Sequence, residues 1–350
     1  IELTSSYNLL PEVYVSRAPN YSVINQTSSK YYSQENGDFY MTRDLHESLS
    51  WNEGNIRYMI QERDGVYNDF DSNGSLDFFG FAYWSDGNTG EWGTNPGKYF
   101  LIKDFSWGNR EKIIYDSSAS FSADMDLANI DSDGDLEILF YTYNVHQNSP
   151  NAYNSSLNEL PVIIIDIDNN LQISESTFGP EVTSHEGASG DIDNDGDEDI
   201  VLPPFNVYYY NYSNRIDSPV VLYNDGNGNF SSVGLLFNSS DSYTNGNSTY
   251  SEFFDLNNDG NLDFLTGNHF TYNDNDLSEN QIGLFLYWGN GTGKYELDNF
   301  TKLQPINNEG YQMVILGSSF LDFDNDGDLD VFTISSRAEN GNFVSNGGII

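Results

Sequence analysis

Cysteine is absent from this 350-residue chain, and with it go disulfide scaffolds, thiolate zinc sites, iron–sulfur clusters and cysteine nucleophiles. Cationic side chains are scarce: 13 Lys and Arg stand against 54 Asp and Glu, for a formal net charge of −41. A surplus of that sign excludes polyanionic partners, so neither a nucleic-acid backbone nor an anionic membrane surface fits. The four histidines, His46, His146, His185 and His269, show no i, i+4 pairing and no metal-ligand spacing. No apolar run approaches the roughly 18 residues of a membrane span, so membrane insertion is not expected. A G-x-S-x-G elbow and a phosphate-binding glycine loop are also missing, and the chain is not expected to be an enzyme. The opening residues Ile1-Glu2-Leu3-Thr4 carry neither an initiator Met nor a basic-then-apolar leader, which reads as a processed chain or a segment of a longer one.

What is present points to a folded β protein. Hydrophobic residues make up 37% of the chain and aromatics 15%, too much for a disordered acidic tail. A nonapeptide recurs five times, as DFDSNGSLD at 69–77, NIDSDGDLE at 129–137, DIDNDGDED at 191–199, DLNNDGNLD at 255–263 and DFDNDGDLD at 322–330. Successive copies start 60 to 67 residues apart, the mark of one structural unit with variable loops. Each copy runs into a β-favouring stretch such as Ile138-Leu139-Phe140 or Ile200-Val201-Leu202, and further strands follow between Asn-, Asp- and Gly-rich turns. About four strands fit in each unit, and four-stranded units repeated along a chain are expected to be the blades of an all-β propeller.

Within the nonapeptide, oxygen-bearing side chains fall at positions 1, 3, 5, 7 and 9 around a glycine at 6. These are Asp69, Asp71, Asn73, Ser75 and Asp77; Asn129, Asp131, Asp133, Asp135 and Glu137; and Asp191, Asp193, Asp195, Asp197 and Asp199. The last two copies supply Asp255, Asn257, Asp259, Asn261 and Asp263, then Asp322, Asp324, Asp326, Asp328 and Asp330. In a tight loop, alternate side chains converge on one point, the glycine permits the reversal, and the carbonyl of position 7 can face an ion. All-oxygen ligation favours calcium, about five ions in all, with a structural role. Copies 191 and 322 offer four ligand carboxylates each at positions 1, 3, 5 and 9 and the others three, so these two are expected to fill first. An EF-hand is excluded, because position 12 holds Gly80, Phe140, Leu202, Thr266 and Thr333 where a bidentate Glu is needed.

The motif, followed directly by a β run at this period, resembles the FG-GAP and VCBS repeats of integrin-α-like propellers. Leu222-Tyr223-Asn224-Asp225-Gly226-Asn227-Gly228-Asn229-Phe230 is similar to the VCBS signature between the third and fourth strands of a blade. The resemblance implies that each calcium loop joins the first and second strands of its blade, so that the ions line one rim. It divides the chain into residues 58–350, five such blades with the last incomplete, and residues 1–57, a partial blade or ring-closing strands. Strands are expected there at Glu12–Val15 and Asp38–Met41. Seven blades are favoured by the integrin-like size, with five or six as the alternatives.

Sites that hold even weakly bound calcium filled point outside the cell, to a secreted or surface protein. Function is expected on the face opposite the ions, where the segments between second and third strands carry Trp84, Trp92, Tyr143, His146, Tyr208, Tyr210, His269 and Tyr272. Such side chains suit a protein or glycan ligand, which makes the chain a binding or adhesion module. Two alternatives stay open: a propeller module of a secreted carbohydrate-active enzyme, or a structural subunit of a surface layer or filament.

Overall fold

Strands are the only extended regular structure among the described residues, in keeping with the alternation of β-branched or aromatic runs and turn residues. The computed structural model describes residues 21–25, 30–33, 51–86, 96–104, 112–119, 122–131, 133–142, 162–179, 184, 186–203, 219–230, 232–237, 248–268, 284–303, 313–321, 330–339 and 342–349. A short hairpin pairs β1 (Tyr21–Asn25) with β2 (Lys30–Ser33). The first repeat is a five-stranded antiparallel sheet of β3 (Trp51–Glu53), β4 (Ile56–Asn68), β5 (Asp77–Asp86), β6 (Lys98–Ile102) and β7 (Lys112–Asp116). The second contains β8 (Ser122–Ala128), β9 (Glu137–Thr142), β10 (Val162–Ile167) and β11 (Ile173–Phe178). The third contains β12 (Ala188–Gly190), β13 (Asp199–Leu202), β14 (Val220–Tyr223) and β15 (Ser232–Leu235).

The fourth sheet repeats the pattern with β16 (Ser248–Phe254), β17 (Asp263–Asn268), β18 (Leu284–Tyr287) and β19 (Phe300–Leu303). A fifth has three strands, β20 (Met313–Leu321), β21 (Asp330–Glu339) and β22 (Asn342–Ile349). The strands expected at Glu12–Val15 and Asp38–Met41 lie outside the described residues. The first sheet begins at Trp51, so its leading hairpin straddles the boundary drawn at residue 58.

Each sheet is a meander, and the sheets stack face to face. Strands β9, β13 and β14 are buried almost throughout, which explains why they read as continuous apolar runs. Alternation then divides each strand between two neighbours. Ile138 and Phe140 of β9 join Phe79, Phe81, Tyr99 and Leu101 of the first sheet. Leu139 and Tyr141 of the same strand pack instead with Ile200, Leu202, Val220 and Leu222 of the third. Val201 and Val221 turn to the fourth sheet, against Phe264 and Phe285. Each fully buried aromatic or aliphatic side chain stabilises the stack by about 1.5–3 kcal/mol. The strands that precede the nonapeptides, β4, β8, β12, β16 and β20, neighbour one another in that order, while β7, β11 and β19 are largely exposed.

Candidate metal centres at the leading hairpins

In the second to fifth sheets the nonapeptide connects the first strand to the second; in the first sheet, where β3 precedes, it connects the second strand β4 to the third strand β5, and all five hairpins close in one register. The residue before the loop faces position 9: Asn68 with Asp77, Ala128 with Glu137, Gly190 with Asp199, Phe254 with Asp263 and Leu321 with Asp330. Of the fifth loop, residues 322–329 lie outside the described residues, and with them Asp322, Asp324, Asp326 and Asp328.

The loop backbone is built by its own side chains. Both oxygens of the position-1 carboxylate accept backbone N–H groups: Asp69 from Asn73 and Gly74, Asp191 from Asp195 and Gly196, Asp255 from Asp259 and Gly260. The position-5 oxygen accepts from the N–H of position 7 in four loops, at Asn73, Asp133, Asp195 and Asp259. Position 4 is left-handed at Ser72, Asn194 and Asn258, with φ of 54–60°. Gly196 at position 6 has φ of 101° with nothing within 4 Å of an added Cβ, so conformation and not crowding requires glycine there.

Position 9 is a buried acid, and in the 69–77 and 255–263 loops it ties three chain segments together. Asp77 accepts the Phe70 N–H at 3.1 Å and the Asp104 N–H at 2.8 Å. Asp263 likewise accepts from Leu256 and Gly289, at 3.1 and 2.9 Å. Glu137 accepts the Ile130 N–H at 2.7 Å, and Asp199 the Asn224 N–H at 2.9 Å. Burial pushes the Asp199 carboxyl up to about 7; the Asn224 N–H pulls it down, while neighbouring Asp193, Asp195 and Asp191 push it further up. Burial also drives Glu137 up to about 7, opposed by the Ile130 N–H and aided by Asp131, Asp133 and Asp166.

Carboxylate oxygens converge in three loops. One oxygen each from Asp69, Asp71 and Asp77, from Asp131, Asp133 and Glu137, and from Asp191, Asp193 and Asp195 lie within 4.8 Å of one another. In the 255–263 loop, where Asn257 stands at position 3, no three acids come that close among the described residues. Asp71 Oδ1, Asp193 Oδ1 and Asp199 Oδ2 are buried with no hydrogen-bond partner. Leaving such oxygens unpaired is unfavourable, and more so for charged groups. A hard cation, bound by oxygen alone, would remove that cost, so the 191–199 loop in particular fits one.

Position 2 was not singled out by ligand spacing, yet in the second and third loops it joins the loop to the next sheet. Phe70, Ile130 and Ile192 are buried, and two of their carbonyls accept from the following sheet: Ile130 from Asn224 Nδ2 at 2.6 Å, Ile192 from the Gly293 N–H at 3.0 Å. The signal was present in the sequence, since position 2 is apolar in all five copies.

Of the aromatic candidates, Trp84 lies in β5, half-buried against a cluster of Tyr58, Phe78, Ala82, Phe100 and Ile102. Trp92, Tyr143, His146, Tyr208, Tyr210, His269 and Tyr272 lie outside the described residues. Strands β5, β9, β13 and β17 each start at position 9 and run away from the loop.

A search of curated proteins finds no match. The solved structure of the rhamnogalacturonan lyase YesW is similar with a TM-score of 0.36 and 12% identity, over 84% of this chain and 58% of that one. The chain thus spans 58% of that lyase's length. Residues 191–266 match the family model of the FG-GAP-like repeat. That segment runs from the first ligand of the third loop, through the whole fourth loop, into β17.

Proposed function

We propose that this chain is a calcium-stabilised β-propeller that acts outside the cell as a binding or adhesion module for a protein or glycan ligand. Its sheets are the blades, in a ring for which seven is the favoured number. The observation that carries the reading is the 191–199 loop, where one oxygen each of Asp191, Asp193 and Asp195 lie within 4.8 Å of one another and Asp193 Oδ1 is buried without a hydrogen-bond partner. Calcium suits that donor set, and extracellular calcium is abundant enough to fill a loop of moderate affinity. The metal loops occupy one edge and also hold adjacent blades together, which leaves the opposite edge to bind ligand.

Thermal unfolding with and without calcium tests this. A site held at a hundredfold excess over its dissociation constant adds about 2.7 kcal/mol. Filling several sites should therefore raise the melting temperature on the order of 10 °C over the chelated protein. A melting curve that chelator leaves unchanged would refute the calcium part of the reading.

A further inference from the structure

The first loop differs from its counterparts in what reaches it from the strand that pairs beyond its hairpin. Lys103 follows β6, and its ammonium forms an ion pair with Oδ2 of Asp71, the position-3 carboxylate of the 69–77 loop. Asp71 is only 8% exposed, whereas the Lys103 side chain is 45% exposed, so the lysine reaches inward from the edge. The strand registers show what stands at this place elsewhere. Ile102 pairs with Phe78, Ile165 with Ile138, Leu222 with Ile200 and Tyr287 with Phe264. The next residue is therefore Lys103 in the first sheet, Asp166 in the second, Tyr223 in the third and Trp288 in the fourth. Only the first of these is a cation.

The rest of the first loop is already engaged. Asp69 accepts the N–H groups of Asn73 and Gly74, as Asp191 and Asp255 accept their counterparts. Asn73 donates through Nδ2 to Asp104 at 2.9 Å and accepts the Ser75 N–H at 2.8 Å. Asp77 accepts from Phe70 and Asp104. With Asp71 paired to an ammonium, the one orphaned oxygen of this loop is Asp71 Oδ1, against two in the 191–199 loop. A divalent ion here would face a positive charge at the carboxylate it most needs.

We propose that Lys103 is the built-in cation of the 69–77 loop, so that this loop closes without calcium while the equivalent loops require it. The inference rests on the calcium reading for those other loops, but its structural half does not. Two variants and two readouts test it. Calcium titration calorimetry of the whole chain gives the number of ions bound. Lys103→Met should bind one ion more than the parent, and Asp71→Asn should bind the same number as the parent. Equal stoichiometry in Lys103→Met and the parent, or the loss of one ion in Asp71→Asn, overturns the proposal.

Amide hydrogen exchange in chelator supplies the second readout. The Asn73 and Gly74 amides should exchange at least tenfold more slowly than Asp195 and Gly196, and Lys103→Met should abolish that difference. Exchange equally fast in both loops of the parent overturns the proposal, whatever the calcium stoichiometry. A parent chain that binds no calcium refutes the calcium reading instead. In that event slow exchange in the first loop, lost in Lys103→Met, still supports Lys103 as its cation.

Discussion

The glycine at position 6 carries the loop geometry at the residue scale. Gly196 sits at φ of 101° with open space where a Cβ would go, so Gly196→Ala meets no neighbour and changes only the backbone energy. The cost expected for a side chain in this conformation is about 1–3 kcal/mol. Urea unfolding of Gly196→Ala should show a loss in that range with an unchanged m-value. A loss below about 0.5 kcal/mol would mean that the loop relaxes to a different turn.

Sheets are joined through these loops at the element scale, and Asn224 is the connector between the second and third. It is nearly buried, donates Nδ2 to the Ile130 carbonyl at 2.6 Å and to the Glu198 carbonyl at 3.1 Å, and accepts the Asp225 and Gly226 N–H groups. Asn224→Ala leaves two buried carbonyls and two amides short of a partner, which should cost about 2–4 kcal/mol. Asn224→Asp keeps the acceptor for the turn but loses the donor to Ile130 and buries a charge, so it should not rescue stability. Chemical denaturation of both variants in calcium checks this; full rescue by Asp would show that the bond to Ile130 is unimportant.

The same contrast explains what could be read from the chain before its structure. The acidic loop is legible because its whole logic lies within nine residues: oxygen-bearing side chains at odd positions, glycine at six, a strand directly after. The all-β architecture was legible because turn residues punctuate apolar runs at regular intervals. Asn224 and Ile130 are 94 residues apart, and Lys103 and Asp71 are 32 apart. Their meeting depends on sheet register and sheet-to-sheet docking, which no local pattern encodes. Trp84 illustrates the reverse difficulty. An aromatic residue in a run ahead of a turn reads equally as a ligand platform or as packing, and the length of β5 places it within the sheet among other rings.

At the scale of the whole molecule, the succession of leading strands gathers acids from different sheets. Asp126 of β8 accepts from Ser189 of β12 at 3.4 Å, and its charge is felt by Glu252 of β16. Both side chains are half-buried. Burial pushes Glu252 up to about 8 from an ordinary 4.5, and Asp126 adds to the rise. The folded chain therefore holds this proton more tightly than the unfolded one. Its stabilising contribution is complete below pH 4.5 and is lost as pH climbs through about 8. Each unit of such a shift corresponds to about 1.4 kcal/mol; with water reaching part of the side chain, the realised loss should be on the order of 2 kcal/mol.

Glu252→Gln keeps the shape and removes the ionisation. With calcium held at one saturating concentration throughout, the variant and parent should melt alike near pH 5. By pH 8.5 the variant should melt several degrees higher, because only the parent must then bury a carboxylate beside Asp126. A melting-temperature difference that is the same at both pH values would show that Glu252 does not titrate with folding. The leading strands would then hold it in water, with no bearing on how the sheets pack.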